Sequence, residues 1–186
     1  MDDGWKLADK VAAVGYLVMV PDFFYGEPLD REKPDIQTWL KDHGTDKGCE
    51  DAKAVVESMK NKGVSAIGAA GFCWGGMTVS KLAKYESTIG AAVILHPGPI
   101  TVDEINEVKV PTAILAAEHD HIFPLDQAKL LGDALSAKSE IESFVKIFPG
   151  VEHGWTVRYN VEDESATKVT EEAQKDMLNW FTKFIK

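Results

Sequence analysis

The segment Gly68-Ala69-Ala70-Gly71-Phe72-Cys73-Trp74-Gly75-Gly76 joins a run of small apolar residues to a cysteine set between glycines, and then to a helix. Gly71-Phe72-Cys73-Trp74-Gly75 has the form Gly-x-nucleophile-x-Gly, in which the reactive residue sits on a tight, strained strand-to-helix turn. Glycines are expected on both sides because a Cβ there would collide with the neighbouring strand or helix. Such a turn lifts the Cys73 sulfur above the sheet and points the positive end of the following helix at a thiolate. It also leaves the Trp74 backbone N–H free to donate to an oxyanion. A buried structural cysteine beside glycines that only permit close packing is the alternative, so the rest of the chain has to decide.

Outward from this turn, short apolar runs alternate with helical patterns. Helices are expected over residues 5–14, 35–40, 46–60, 74–85, 125–135 and 164–185, and strands over 16–20, 64–71, 90–95, 112–117 and 143–148. The alternation implies an α/β fold with a mostly parallel sheet covered by helices on both faces. In such sheets function collects at the carboxyl ends of the strands. There the chain places Cys73, then Asp120 in Glu118-His119-Asp120-His121, then His153 in Val151-Glu152-His153-Gly154-Trp155. Nucleophile, acid, base in that order is the arrangement of an α/β-hydrolase. His153 would take the thiol proton and return it to the leaving group, and Asp120 would hold the imidazole in its tautomer.

Neighbouring residues compete for roles. Glu118 is a rival acid, with Asp120 the better fit. His119 and His121 have no ligand spacing, so no metal is expected. His96, at another strand end, either faces the site or caps its loop. Arg158 and Tyr159 either bind a substrate carboxylate or lie on the surface. Phe24 and Tyr25, in the loop Asp22-Phe23-Phe24-Tyr25-Gly26 after a strand end, and Trp155 beside the base are candidate substrate contacts.

Length and composition fit one domain over residues 1–186. With 20 Lys and Arg against 30 Asp and Glu, the net charge of -10 argues against nucleic acid and anionic membranes. No apolar run reaches transmembrane length and no leader pattern opens the sequence, so a cytoplasmic location is expected. The two cysteines, Cys49 and Cys73, lie in unlike contexts and are expected as free thiols.

Gly71-Phe72-Cys73-Trp74-Gly75-Gly76, Ala117-Glu118-His119-Asp120-His121-Ile122-Phe123-Pro124 and His153-Gly154-Trp155 resemble the dienelactone hydrolase (carboxymethylenebutenolidase) family. Val20-Pro21-Asp22-Phe23-Phe24-Tyr25-Gly26 is similar to its strand-end loop. Asp42-His43-Gly44-Thr45-Asp46-Lys47-Gly48 and the segment 156–163 are similar to its plant members. The resemblance implies a cysteine hydrolase of small lactones or esters, with Cys73, Asp120 and His153 as triad and no cofactor. Some plant relatives are named as β-glucanases, but a glycosidase of the usual kind needs two spaced carboxylates, and no such pair is evident.

One departure stands out. The family has further strands and a loop before the helix that here occupies residues 5–14, so the fold is expected to be N-terminally truncated. A gap is expected beside the nucleophile strand, together with the loss of the second oxyanion donor. Three outcomes follow: an active cysteine hydrolase whose sheet closes up or is completed by another chain, an impaired truncated product, or a non-catalytic binding module. Self-association through the exposed sheet edge belongs with the first and the last.

Overall fold

The computed structural model describes residues 2–30, 32 and 35–186; Met1, Arg31, Lys33 and Pro34 lie outside it. Its elements are α1 (Asp2–Ala13), α2 (Ile36–Asp42), α3 (Thr45–Asn61), β1 (Gly68–Cys73), α4 (Trp74–Leu82), β2 (Ala91–Pro97), α5 (Val102–Asn106), β3 (Thr112–His119), α6 (Leu125–Ser136), β4 (Ser143–Glu152) and α7 (Glu164–Phe184). The strands form one parallel sheet in the order β1-β2-β3-β4. Because each strand lies beside the one before it, the crossovers α4, α5 and α6 all fall on one face, as a constant hand of connection demands.

That face is sealed by α3 through α6: Val56, Val79, Leu82, Ile105, Leu131 and Leu135 pack on Ile94 and Ile114. The alternate residues of the same strands, Val93, Leu95, Ala113 and Leu115, face the opposite way. They are covered by α1, through Leu7, and by α7, through Ala173, Met177, Trp180 and Phe181. Every residue of β2 is therefore buried, which is why Ala91-Ala92-Val93-Ile94-Leu95 reads as a continuous apolar run. Side-chain caps set the helix starts: Asp35 accepts from Thr38 N–H at 3.1 Å, Asp163 caps α7, and Thr101 and Glu104 make a reciprocal capping box on α5.

The strand expected over 16–20 is not formed. Among the described residues β1 pairs with β2 alone, so the segment finds no ladder there. Leu17, Met19 and Val20 stand 69%, 54% and 51% exposed. An apolar run becomes a strand only where a neighbour supplies the other half of the hydrogen bonds. The expected gap beside the nucleophile strand takes the form of an edge: among the described residues the outer side of β1 is unpaired, and Ala70 there is exposed. The same rule moves the start of β1 from residue 64 to Gly68, opposite the first residue of β2. It also extends β4 past Phe148 to Glu152, which pairs with His119 across a register shift. Among the described residues no helix is long and apolar enough to cross a membrane.

Candidate active site

Cys73 ends β1 and is the N-cap of α4, with φ +51° and ψ −113°. A cysteine held at positive φ is strained, and strain of this kind persists only where the surroundings enforce it. The enforcement is visible in the glycines. A Cβ on Gly71 would lie 2.1 Å from the Gly75 carbonyl oxygen, and one on Gly76 would lie 2.9 Å from Pro97 Cβ. Gly75 departs from the expectation, since a Cβ there meets nothing within 4 Å. The steric need is carried by Gly71 and Gly76, where backbone and strand come closest.

Trp74 roofs the turn from the other side. Its indole N–H donates to the His43 carbonyl at 2.8 Å, and its ring packs on Phe24 with centroids 5.0 Å apart. Phe24 in turn meets Trp39 at 4.8 Å, and Trp39 stacks on His43 at 4.5 Å. The loop 22–28 is thus pinned to the residue next to the nucleophile through an aromatic cluster. Tyr25 points elsewhere: its hydroxyl donates to Asp51 at 2.8 Å and Lys47 lies over its ring, which ties it to α3.

Asp120 and His153 come together at the ends of β3 and β4. His153 Nδ1 lies 2.7 Å from Asp120 Oδ2, with the two side chains 3% and 0% exposed. The other carboxylate oxygen accepts from the backbone N–H groups of Ile122 (2.8 Å) and Phe123 (2.9 Å). With both of its oxygens engaged, the carboxylate holds the proton of His153 on Nδ1. His153 Nε2 is left as a buried nitrogen without a partner among the described residues. Glu118 is occupied otherwise, accepting from the Gly150 N–H at 2.8 Å and lying 3.5 Å from the exposed His119.

Burial pushes the Cys73 thiol above its ordinary pKa. The Trp74 backbone N–H and the Arg158 guanidinium pull it back, and the Asp120 carboxylate pushes it up again. At rest the group is a neutral thiol whose sulfur feels the Trp74 N–H. Arg158 is exposed and lies across Gly154, where a Cβ would sit 2.2 Å from its guanidinium nitrogen. With Val151, His153, Trp155, Tyr159 and Thr170 it lines a cleft of about 230 Å³; Cys73 is not among the walls.

His96 is wholly buried at the end of β2, with φ +32°. Its Nε2 lies 2.6 Å from the Thr156 hydroxyl, and its ring is 5.1 Å from those of both His153 and Trp155. Trp155 itself is 6% exposed. Thr156 was not a candidate in the sequence, because nothing local marks a threonine whose partner lies on another strand. Among the described residues no cluster of three or more His, Cys, Asp or Glu side chains is placed to hold a metal ion. Cys49 is free and buried on the inner face of α3.

The profile of the Dienelactone hydrolase family matches residues 2–185. A carboxymethylenebutenolidase homolog of Xenopus tropicalis is 33% identical over 98% of this chain and 78% of its own length. An endo-1,3;1,4-beta-D-glucanase of Zea mays is 36% identical over 73% of this chain and 44% of its own length. Among solved structures, a Klebsiella pneumoniae protein assigned as a dienelactone hydrolase superposes with a TM-score of 0.82 at 21% identity, covering 99% of this chain and 82% of that one.

Proposed function

This chain belongs to the dienelactone hydrolase family and is an ester or lactone hydrolase, and on that premise we propose that it works through a Cys73-His153-Asp120 triad on small substrates. The observation that carries the reading is the buried Asp120–His153 pair, with its Nε2 unpartnered, beside a cysteine held in a strained elbow. The substrate carbonyl oxygen takes the Trp74 N–H from the sulfur, and the freed thiol turns toward His153. His153 Nε2 accepts the thiol proton, and the thiolate attacks the carbonyl carbon. The tetrahedral oxyanion rests on the Trp74 N–H. As it collapses, the C–O bond to the leaving alcohol breaks and His153 protonates that oxygen, leaving a thioester on Cys73. Water, deprotonated by His153, then releases the acid and restores the thiol.

Arg158 is the substrate's carboxylate anchor. It is exposed, and its charge reaches Cys73. Phe24 and Trp155 shape the apolar side, while Tyr25 supports the loop from α3. Glycosidase chemistry is not part of the proposal: Asp120 is spent on His153 and Glu118 on Gly150. The proposal also includes a plant-type lineage, a cytoplasmic location and self-association through the open edge of β1. The apolar Leu17, Met19 and Val20 support that last point, and light scattering reads it.

The test is hydrolysis of para-nitrophenyl acetate and of a small carboxylated lactone by the chain and by Cys73→Ala. Turnover by the chain that disappears in the variant supports the triad. Equal turnover by both defeats it, and no turnover by either leaves a binding role as the better reading. Arg158→Gln raises KM for the carboxylated substrate about 10-fold and leaves the uncharged ester little changed.

A further inference from the structure

His96 fits none of the ordinary reasons for a buried residue. Its side chain has no exposed surface, so it does not touch substrate. An apolar residue would fill the same space without a ring Nδ1 that has no partner among the described residues, and a residue at φ +32° is strained. These costs coincide with an unusual position. From β2, between the nucleophile strand and the acid strand, the ring meets Phe72, the residue before Cys73, at 5.9 Å. It meets His153 edge-to-face at 5.1 Å and Trp155 at 5.1 Å, and its Nε2 reaches the Thr156 hydroxyl at 2.6 Å. Thr156 is itself 1% exposed and sits three residues past the base on the same loop.

We infer that His96 is a positioning residue for the base. Its ring braces the face of His153, and its bond to Thr156 ties down the loop that carries His153, so that Nε2 stays aimed at the Cys73 thiol. The inference rests on the hydrolase reading above, in that it gives His153 the proton of Cys73. Neutrality is part of the arrangement, because a charge on His96 would stand against the imidazolium that His153 becomes. Burial, with the charges of His153 and Arg158, lowers the pKa of His96 to about 3, and the residue's own backbone, then Asp120, offset this in part. A neutral ring can brace a titrating neighbour without competing for its proton.

Thr156→Val removes the hydrogen bond at nearly constant shape, Thr156→Ser keeps it, and His96→Phe keeps the ring while losing the nitrogen. Two readouts are taken across pH: kcat and KM on para-nitrophenyl acetate, and the rate at which iodoacetamide alkylates Cys73, followed on its peptide by mass spectrometry. Thr156→Val is expected to lower kcat about 10-fold with KM within about 2-fold, and to displace the pH profile of alkylation. Thr156→Ser is expected to match the parent in both. Unchanged kcat and an unchanged alkylation profile in Thr156→Val overturn the inference, and so does a loss that Thr156→Ser fails to rescue, which would mean packing alone. If His96→Phe does not fold, the Thr156 pair decides. The alkylation arm needs no substrate. A displaced profile in a chain that hydrolyses no ester upholds the bracing and defeats the hydrolase reading. Cys73-dependent turnover that Thr156→Val leaves untouched does the reverse.

Discussion

His153 is held from two sides, by Asp120 on Nδ1 and by the ring of His96; it follows β4 at one edge of the sheet, while its two supports stand at the ends of the middle strands β3 and β2. Cys73 ends β1, which, like β4, has a neighbour on one side only among the described residues, and no hydrogen bond there joins its thiol to His153 Nε2. His153 is placed by a buried polar network. Cys73 is placed by backbone geometry, by the contacts at Gly71 and Gly76, and by the aromatic cluster on Trp74. A buried network resists small displacements because each lost bond leaves an unpaired polar group behind. The elbow is held by steric contacts, ring packing and the Trp74–His43 hydrogen bond rather than by a buried network, so the two halves of the site should fail in different ways when disturbed.

The largest effect is expected where the network meets the chemistry. Asp120→Asn keeps the shape but permits the wrong His153 tautomer, and kcat should fall about 10³- to 10⁴-fold with little change in KM, measured by steady-state kinetics. On the nucleophile side the damage should be to folding. Gly71→Ala forces a Cβ into the Gly75 carbonyl and is expected to cost more than about 4 kcal/mol by urea unfolding. Gly75→Ala, two positions past Cys73, meets open space and should stay within about 1 kcal/mol of the parent.

A smaller effect separates the halves by pH. His96 is buried neutral, with its pKa lowered from 6.5 to about 3. The unfolded chain therefore binds a proton that the folded chain refuses as pH falls below 6.5. Stability is complete above that value and declines toward pH 3, by about 2 kcal/mol between pH 7 and pH 5. Urea unfolding at the two pH values should show this decline in the parent and a decline smaller by that amount in His96→Phe. The smallest effect belongs to Glu118→Gln, which keeps an acceptor for the Gly150 N–H and should alter kcat by no more than about 2-fold.

The sequence was most legible where local chemistry suffices. A cysteine between glycines at the end of an apolar run specifies its own turn, and the angles at Cys73 are those of such a turn. Asp120 and His153 could be read because each follows a strand, where a parallel sheet gathers its loops. The strand expected over 16–20 had the right residues and no partner, and pairing is not a local property. Gly75 could not be told from Gly71 by pattern, because only the packed structure shows which glycine has a neighbour. The bond from His96 to Thr156 joins residues 60 apart, and no periodicity records it.

The central claim is that Cys73 carries the acyl group, and acid quenching during turnover of para-nitrophenyl acetate tests it most directly. The account predicts one acetyl group on the Cys73 peptide by mass spectrometry, absent from Cys73→Ala. Turnover with Cys73 unmodified and another residue acetylated, or turnover that survives in Cys73→Ala, would contradict it.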